Sequence, residues 1–249
     1  MSPYALMLRL YPDGHPRDEM LGVLEEGGRA WYREAPSLLA GALRARTGGD
    51  HPARLRWLYA ARAAALMLLV AAALAPVLDL YYSQQLATNR TIATWVCAGL
   101  AVVAVAFGGR VWALGLAASA LVLSAADQIS MPAIAGYALA TALLLIPGRS
   151  LPVRNPLPIL LALAWAADYT LPEGVWLALI AAVLLWTVID ERILLATGLA
   201  LLAGVIVATG QVTEAGDARG LLLMAALRLG LPAALLAFAG TLTYRRARI

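Results

Sequence analysis

The stretch LYAARAAALMLLVAAALAPVLDLY, residues 58–81, decides the fold. A helix that crosses a bilayer needs about 20 largely apolar residues, and this run supplies them in one piece. Seven further apolar runs follow, near residues 91–107, 111–126, 132–147, 157–171, 175–189, 193–210 and 221–244. Their connections are very short, Gly108-Gly109-Arg110 among them, so neighbouring runs must lie antiparallel. Of the 249 residues 62% are hydrophobic and 14% charged, and the mean hydropathy is +0.77. Soluble domains are usually about 45–50% apolar and about 25% charged. No single domain in water could hide this much apolar surface, so a bilayer is the expected solvent. That excludes a plain cytosolic enzyme, a free-standing nucleic-acid domain and a disordered chain.

The expected fold is therefore all-α. A polytopic transmembrane helical bundle of about eight spans fills residues 57–249, behind a small helical domain at residues 1–56. Runs three to six are short for spans. The run 157–171 is the weakest, with Asp168 inside it and Pro158 near its start, so 157–189 could instead form one hairpin dipping partly into the bilayer. Arginine placement orients the whole, because cytoplasmic loops carry the excess of positive charge. All 19 basic residues are Arg. Eight spans put Arg44, Arg46, Arg54, Arg56, Arg110, Arg149, Arg154, Arg192, Arg245, Arg246 and Arg248 on one side. Arg90, Arg219, Asp127, Asp168, Glu173, Glu214 and Asp217 fall on the other. The expected location is the plasma membrane, multi-pass, with both termini cytoplasmic. The basic groups flanking the first and last spans read as topology anchors, each residue attracted to anionic lipid by about 1 kcal/mol.

Residues 1–56 hold both histidines, eight arginines and seven acidic residues. No signal-peptide pattern opens them, since Arg9 and Tyr11-Pro12-Asp13-Gly14 interrupt the first apolar stretch. Residues 4–10 read as a first helix, stopped by Pro12 and the Asp13-Gly14 turn. Pro16, Asp18 and Glu19 suit the first turn of a second helix. Met20, Leu21 and Leu24 share one face of it, and Gly27-Gly28 ends it. Pro36-Ser37 is expected to open a third, with Leu38, Leu39 and Leu43 as its stripe. The sequence Leu8-Arg9-Leu10-Tyr11-Pro12, then Arg17, Glu19-Met20-Leu21 and Leu24-Glu25, resembles the HAAS-type signalling domain, also called the permease-prefix domain, over residues 4–47. Domains of that family open many actinobacterial membrane proteins and are often encoded beside a PadR-like winged-helix repressor. The resemblance implies a cytosolic regulatory partner, bound through Tyr11, Pro12, Arg17, Glu19, Met20 and Leu24. The alternative role for Tyr11, Met20 and Leu24 is the core of a helical cap.

Within the bundle the informative residue is Arg228. A charge inside a span faces a partner or a watery cavity, and Asp79, Asp127 and Asp168 are the candidate counter-ions. Arg228 either pairs with one of them or snorkels along its own helix. Asp79, Gln84, Asp127, Gln128, Asp168 and Tyr169 could line an outward-facing polar pocket. Gly115 with Ser119, and Gly204 with Ala208, have the four-residue spacing of close helix packing. With no Lys there is no phosphate loop. Neither a clustered metal-ligand set nor a Ser–His pair occurs, and the single Cys97 forms no internal disulfide. No cofactor, metal or direct nucleic-acid contact is expected. The expected function is a non-enzymatic membrane sensor that relays a signal to a cytosolic regulator. The alternatives are a permease or accessory subunit of a transport complex, or a structural subunit of a larger membrane assembly. Self-association is compatible with each.

Overall fold

Local signals set the helix starts. In the computed structural model, which describes residues 2–11, 16–28, 30–47, 53–83, 87–127, 131–149, 151–166, 178, 181, 190–209, 229–230, 232–242 and 244, Ser2 caps the first helix through its hydroxyl. That helix, α1 (Pro3–Leu8), is followed by α2 (Arg17–Glu26) and α3 (Trp31–Thr47). Next come α4 (Ala53–Ser83), α5 (Asn89–Ala106), α6 (Arg110–Ala126) and α7 (Met131–Leu145). The last three are α8 (Leu157–Ala166), α9 (Glu191–Thr209) and α10 (Pro232–Leu242). Thr88 caps α5 by accepting from the Thr91 N–H. A type of turn open to Gly joins α5 to α6: Gly108 takes φ +81°, a conformation that costs a side chain but not glycine.

The described elements are all helices, and α5, α6, α7, α8 and α9 start within two residues of their apolar runs, α4 five residues before its run, while α10 is described only from Pro232, inside the run 221–244. One expectation needs correction. Pro36 does not open α3 but lies inside it, five residues after its start at Trp31. The ring removes one backbone donor, and the strongly exposed Tyr32 one turn earlier leaves its carbonyl in reach of water. Of the eight apolar runs, only Arg54–Val77 and Asn89–Ala106 form described helices long and apolar enough to cross a membrane. The helices α6 and α7, with 17 and 15 residues, span about 25 and 22 Å at 1.5 Å per residue, below the roughly 30 Å of a hydrocarbon core. The run 175–189 is described only at 178 and 181.

The buried apolar residues form two separate clusters. Tyr4, Leu8, Tyr11, Leu38 and Ala42 make the smaller one, among α1, α2 and α3. The larger is built on α4, against which α5, α7, α8 and α9 all pack. Between Leu58 and Leu69 every residue of α4 is buried, as expected for a helix apolar on all sides. Around it Tyr137, Leu144, Ile193 and Leu195 are fully buried, but along α5 and α6 small residues point inward and large ones outward. Ala98, Ala101, Ala113, Ala117, Ala120, Ala133 and Ala140 are fully buried, while Phe107, Val111, Trp112, Val122 and Met131 are 67–81% exposed. Small residues let backbones approach where apolar burial is not what draws helices together. The seam of α6 is Ala113, Ala117, Ala120 and Ser124. Gly115 and Ser119 face outward instead, so their spacing does not mark the packing face.

Gly136 carries a close approach between α4 and α7. A Cβ there would stand 2.9 Å from Ala72 Cβ. Gly136→Leu should therefore overpack this contact and destabilise the chain by about 1–3 kcal/mol. Gly115→Leu, where nothing lies within 4 Å, should be near neutral. Thermal unfolding of the two purified variants checks this, and equal losses would contradict the α4–α7 contact.

Candidate functional site

The charged residues gather where α4, α6 and α9 begin and α5 and α7 end, here termed the basal end. Arg56 Nη1 donates to Glu191 Oε1 at 2.6 Å, joining the first turns of α4 and α9 across 135 residues of sequence. Both side chains are buried. Next to them Arg192 holds Asp190 in a two-pronged contact, Nε to Oδ1 at 2.6 Å and Nη2 to Oδ2 at 2.7 Å. The same Asp190 oxygen accepts from the Arg192 backbone N–H, so Asp190 also caps α9. The Arg192 guanidinium lies 4.2 Å above the centre of the Tyr59 ring, a favourable cation–π geometry. Asn155 caps α8 through Oδ1, which accepts from the Leu157 N–H, and leaves its buried Nδ2 without a partner.

Two more arginines close the end of α7. Arg62 donates to the carbonyls of Leu144 and Ile146, each at 3.1 Å. Arg110 donates to Leu144 at 3.2 Å and to Leu145 at 2.9 Å. The last carbonyls of a helix lack intrahelical donors and carry its negative pole, so two cations there satisfy both needs. Arg56, expected as a topology anchor, is in fact buried and ion-paired, and so is Arg192, expected only on the same side of the bundle. Burial of each is tolerable because a carboxylate meets it. Arg54 keeps the expected exposure. Counting Arg149 and Arg154 on the segment before α8, the described part of this end holds seven arginines (54, 56, 62, 110, 149, 154 and 192). It holds two carboxylates, Asp190 and Glu191.

The sequence-predicted residues separate into three groups. Tyr11, Met20 and Leu24 pack in the N-terminal cluster. Tyr11 lies against Gly41 of α3, and its carbonyl accepts from Arg17 Nη2. Glu19 is exposed on α2. At the far end of the bundle Asp127 Oδ2 accepts from the hydroxyls of Thr88 and Thr91, both at 2.7 Å, tying the start of α5 to the end of α6. Those two bonds hold its carboxyl below the usual carboxylate range. Asp79 lies on α4, but its side chain, like Pro12, Asp168 and Arg228, lies outside the described residues. So does the rest of the outer polar pocket around Asp127. Of the predicted intramembrane residues only Asp127 has a described side chain, so the expected pairing with Arg228 lies outside the described residues. The residues missed were Tyr59, Arg62, Asn155 and the triplet Asp190-Glu191-Arg192. Three adjacent charges between two apolar runs were the available signal.

The site can lock and orient, since its paired charges and helix caps fix α4 against α7 and α9. Removing one member of a buried pair strands the other, at about 3–5 kcal/mol, whereas replacing both with apolar groups can be neutral. Arg56→Met should thus destabilise the chain strongly, and Arg56→Met with Glu191→Leu should recover most of the loss. Unfolding of the three forms measures this coupling, and additive losses would contradict a mutual pair. No family model, curated protein or solved structure matches the chain.

Proposed function

We propose that the chain is a multi-pass plasma-membrane protein of about eight spans, with both termini cytoplasmic, that relays a signal to a cytosolic regulator. Support for the membrane comes from the outward-facing Phe107, Val111, Trp112 and Met131 over alanine seams. The excess of arginine at the basal end fits the cytoplasmic side.

One observation carries the relay reading: the helix that follows the N-terminal unit in the chain is also the hub of the bundle. Helix α4 touches α5, α7, α8 and α9, and its first turn is bound to α9 through Arg56 and Glu191. A displacement of the head would therefore act at the centre of the bundle, and a repacking of the bundle would act on the head. A stimulus drives such a shift only if it favours one arrangement over the other. The resemblance of residues 4–47 to HAAS-type domains points to a PadR-like repressor as the regulator. Since Tyr11, Met20 and Leu24 pack inward, the exposed residues left for docking include Leu6 of α1 and Glu19 and Val23 of α2. The chain acts by binding, without chemistry of its own.

The full chain, solubilised from its own membrane, should therefore retain a PadR-like repressor. Leu6→Asp with Val23→Asp should cut the recovered repressor by about tenfold or more, as loss of an interface anchor does, without lowering the melting temperature. Equal recovery with both forms, or no soluble regulator bound, would contradict the reading.

A further inference from the structure

An apolar groove of about 480 Å³ runs along the basal end, between the first turns of α4, the end of α7 and α9. Trp57 and Ala61 of α4, Leu143 and Ile146 at the end of α7, and Leu199 of α9 line it, with Arg54 as its charged member. The volume falls within the range of sites that hold small ligands. The walls offer apolar surface and one cation, and little else. Arg54 is exposed and has no carboxylate partner among the described residues. Both carboxylates of this end are engaged, Glu191 by Arg56 and Asp190 by Arg192.

We infer that this groove binds an anionic phospholipid, with an acyl chain against the apolar walls and the phosphate on Arg54. The inference rests on the membrane reading above and adds a ligand to it. A polar metabolite would leave the walls unmatched. An extended peptide would bring backbone N–H and C=O groups that the walls cannot satisfy, each costly to desolvate. An acyl chain brings no such groups. The anionic head is selected by charge: the basal end carries seven described arginines against two carboxylates, and a zwitterionic head supplies its own cation. Trp57, 40% exposed at the groove, has the amphipathic ring suited to headgroup depth.

The test uses the full chain reconstituted in vesicles of equal phosphatidylglycerol and phosphatidylcholine, then extracted in mild detergent, with the retained lipid counted by mass spectrometry. Phosphatidylglycerol should be enriched over phosphatidylcholine. Arg54→Gln should lower its retention about fivefold, the factor expected for one basic residue at an anionic surface. Leu199→Trp, which fills the groove, should lower retention of both lipids. Arg154→Gln, an exposed arginine of the same end outside the groove, should change nothing. Equal retention of the two lipids, or equal losses in Arg54→Gln and Arg154→Gln, overturns the groove and leaves the membrane reading standing. A chain that enters no vesicles overturns both.

Discussion

Small side chains at helix contacts are the constraint on which the bundle depends. Helices α5, α6 and α7 meet their neighbours through alanines at 98, 101, 113, 117, 120, 133 and 140, and α7 reaches α4 at Gly136. On α5 and α6 the large apolar residues Ile92, Val96, Val111, Trp112 and Val122 turn the other way, while α7 also buries Tyr137 and Leu144. In water this arrangement would forgo the main driving force of folding, which rewards burying the largest apolar groups. It is stable where the surroundings are as apolar as the side chains and close backbone approach supplies the attraction. The same packing surrounds α4 with α5, α7, α8 and α9, and every residue from Leu58 to Leu69 is buried as a result.

Packing of that kind is weakly directional, and the charges at the basal end supply direction. Arg62 and Arg110 bind the last carbonyls of α7, while Arg56 and Glu191 join the starts of α4 and α9. Each contact links residues at least 34 positions apart in sequence. Together they fix which helix ends share a layer, and they place the junction with the N-terminal helices next to the most constrained part of the bundle. At the far end Asp127 does the same on a smaller scale, with two threonine hydroxyls in place of a cation.

Much of the architecture was legible in the sequence because it follows from apolar length and charge punctuation. The starts of α5, α6, α7 and α9 lie within three residues of their apolar runs for that reason. The packing face of α6 was not legible. In a helix this rich in alanine, small residues occur on several faces, so the spacing of Gly115 and Ser119 does not select one. The start of α3 was misplaced because a proline usually marks a first turn, yet Pro36 is tolerated one turn later where the surroundings are exposed. The candidate site was the least legible. Arg56 looked like a loop charge because its partner is set by tertiary contact, and no local pattern announces a bond across 135 residues. Arg192 pairs with Asp190 two residues away, but its burial against Tyr59 is again tertiary.

The account stands on the solvent that faces Ile92, Val96, Val103, Phe107, Val111 and Trp112, all outward on α5 and α6. Photolabelling of the chain in its native membrane with a lipid-soluble carbene reagent, followed by peptide mapping of residues 89–126, reads that solvent directly. Label on those six residues, with Ala98, Ala101, Ala113 and Ala117 spared, is the predicted result. Protection of the six from the lipid-phase reagent, together with their oxidation by hydroxyl radicals generated in water, would contradict it.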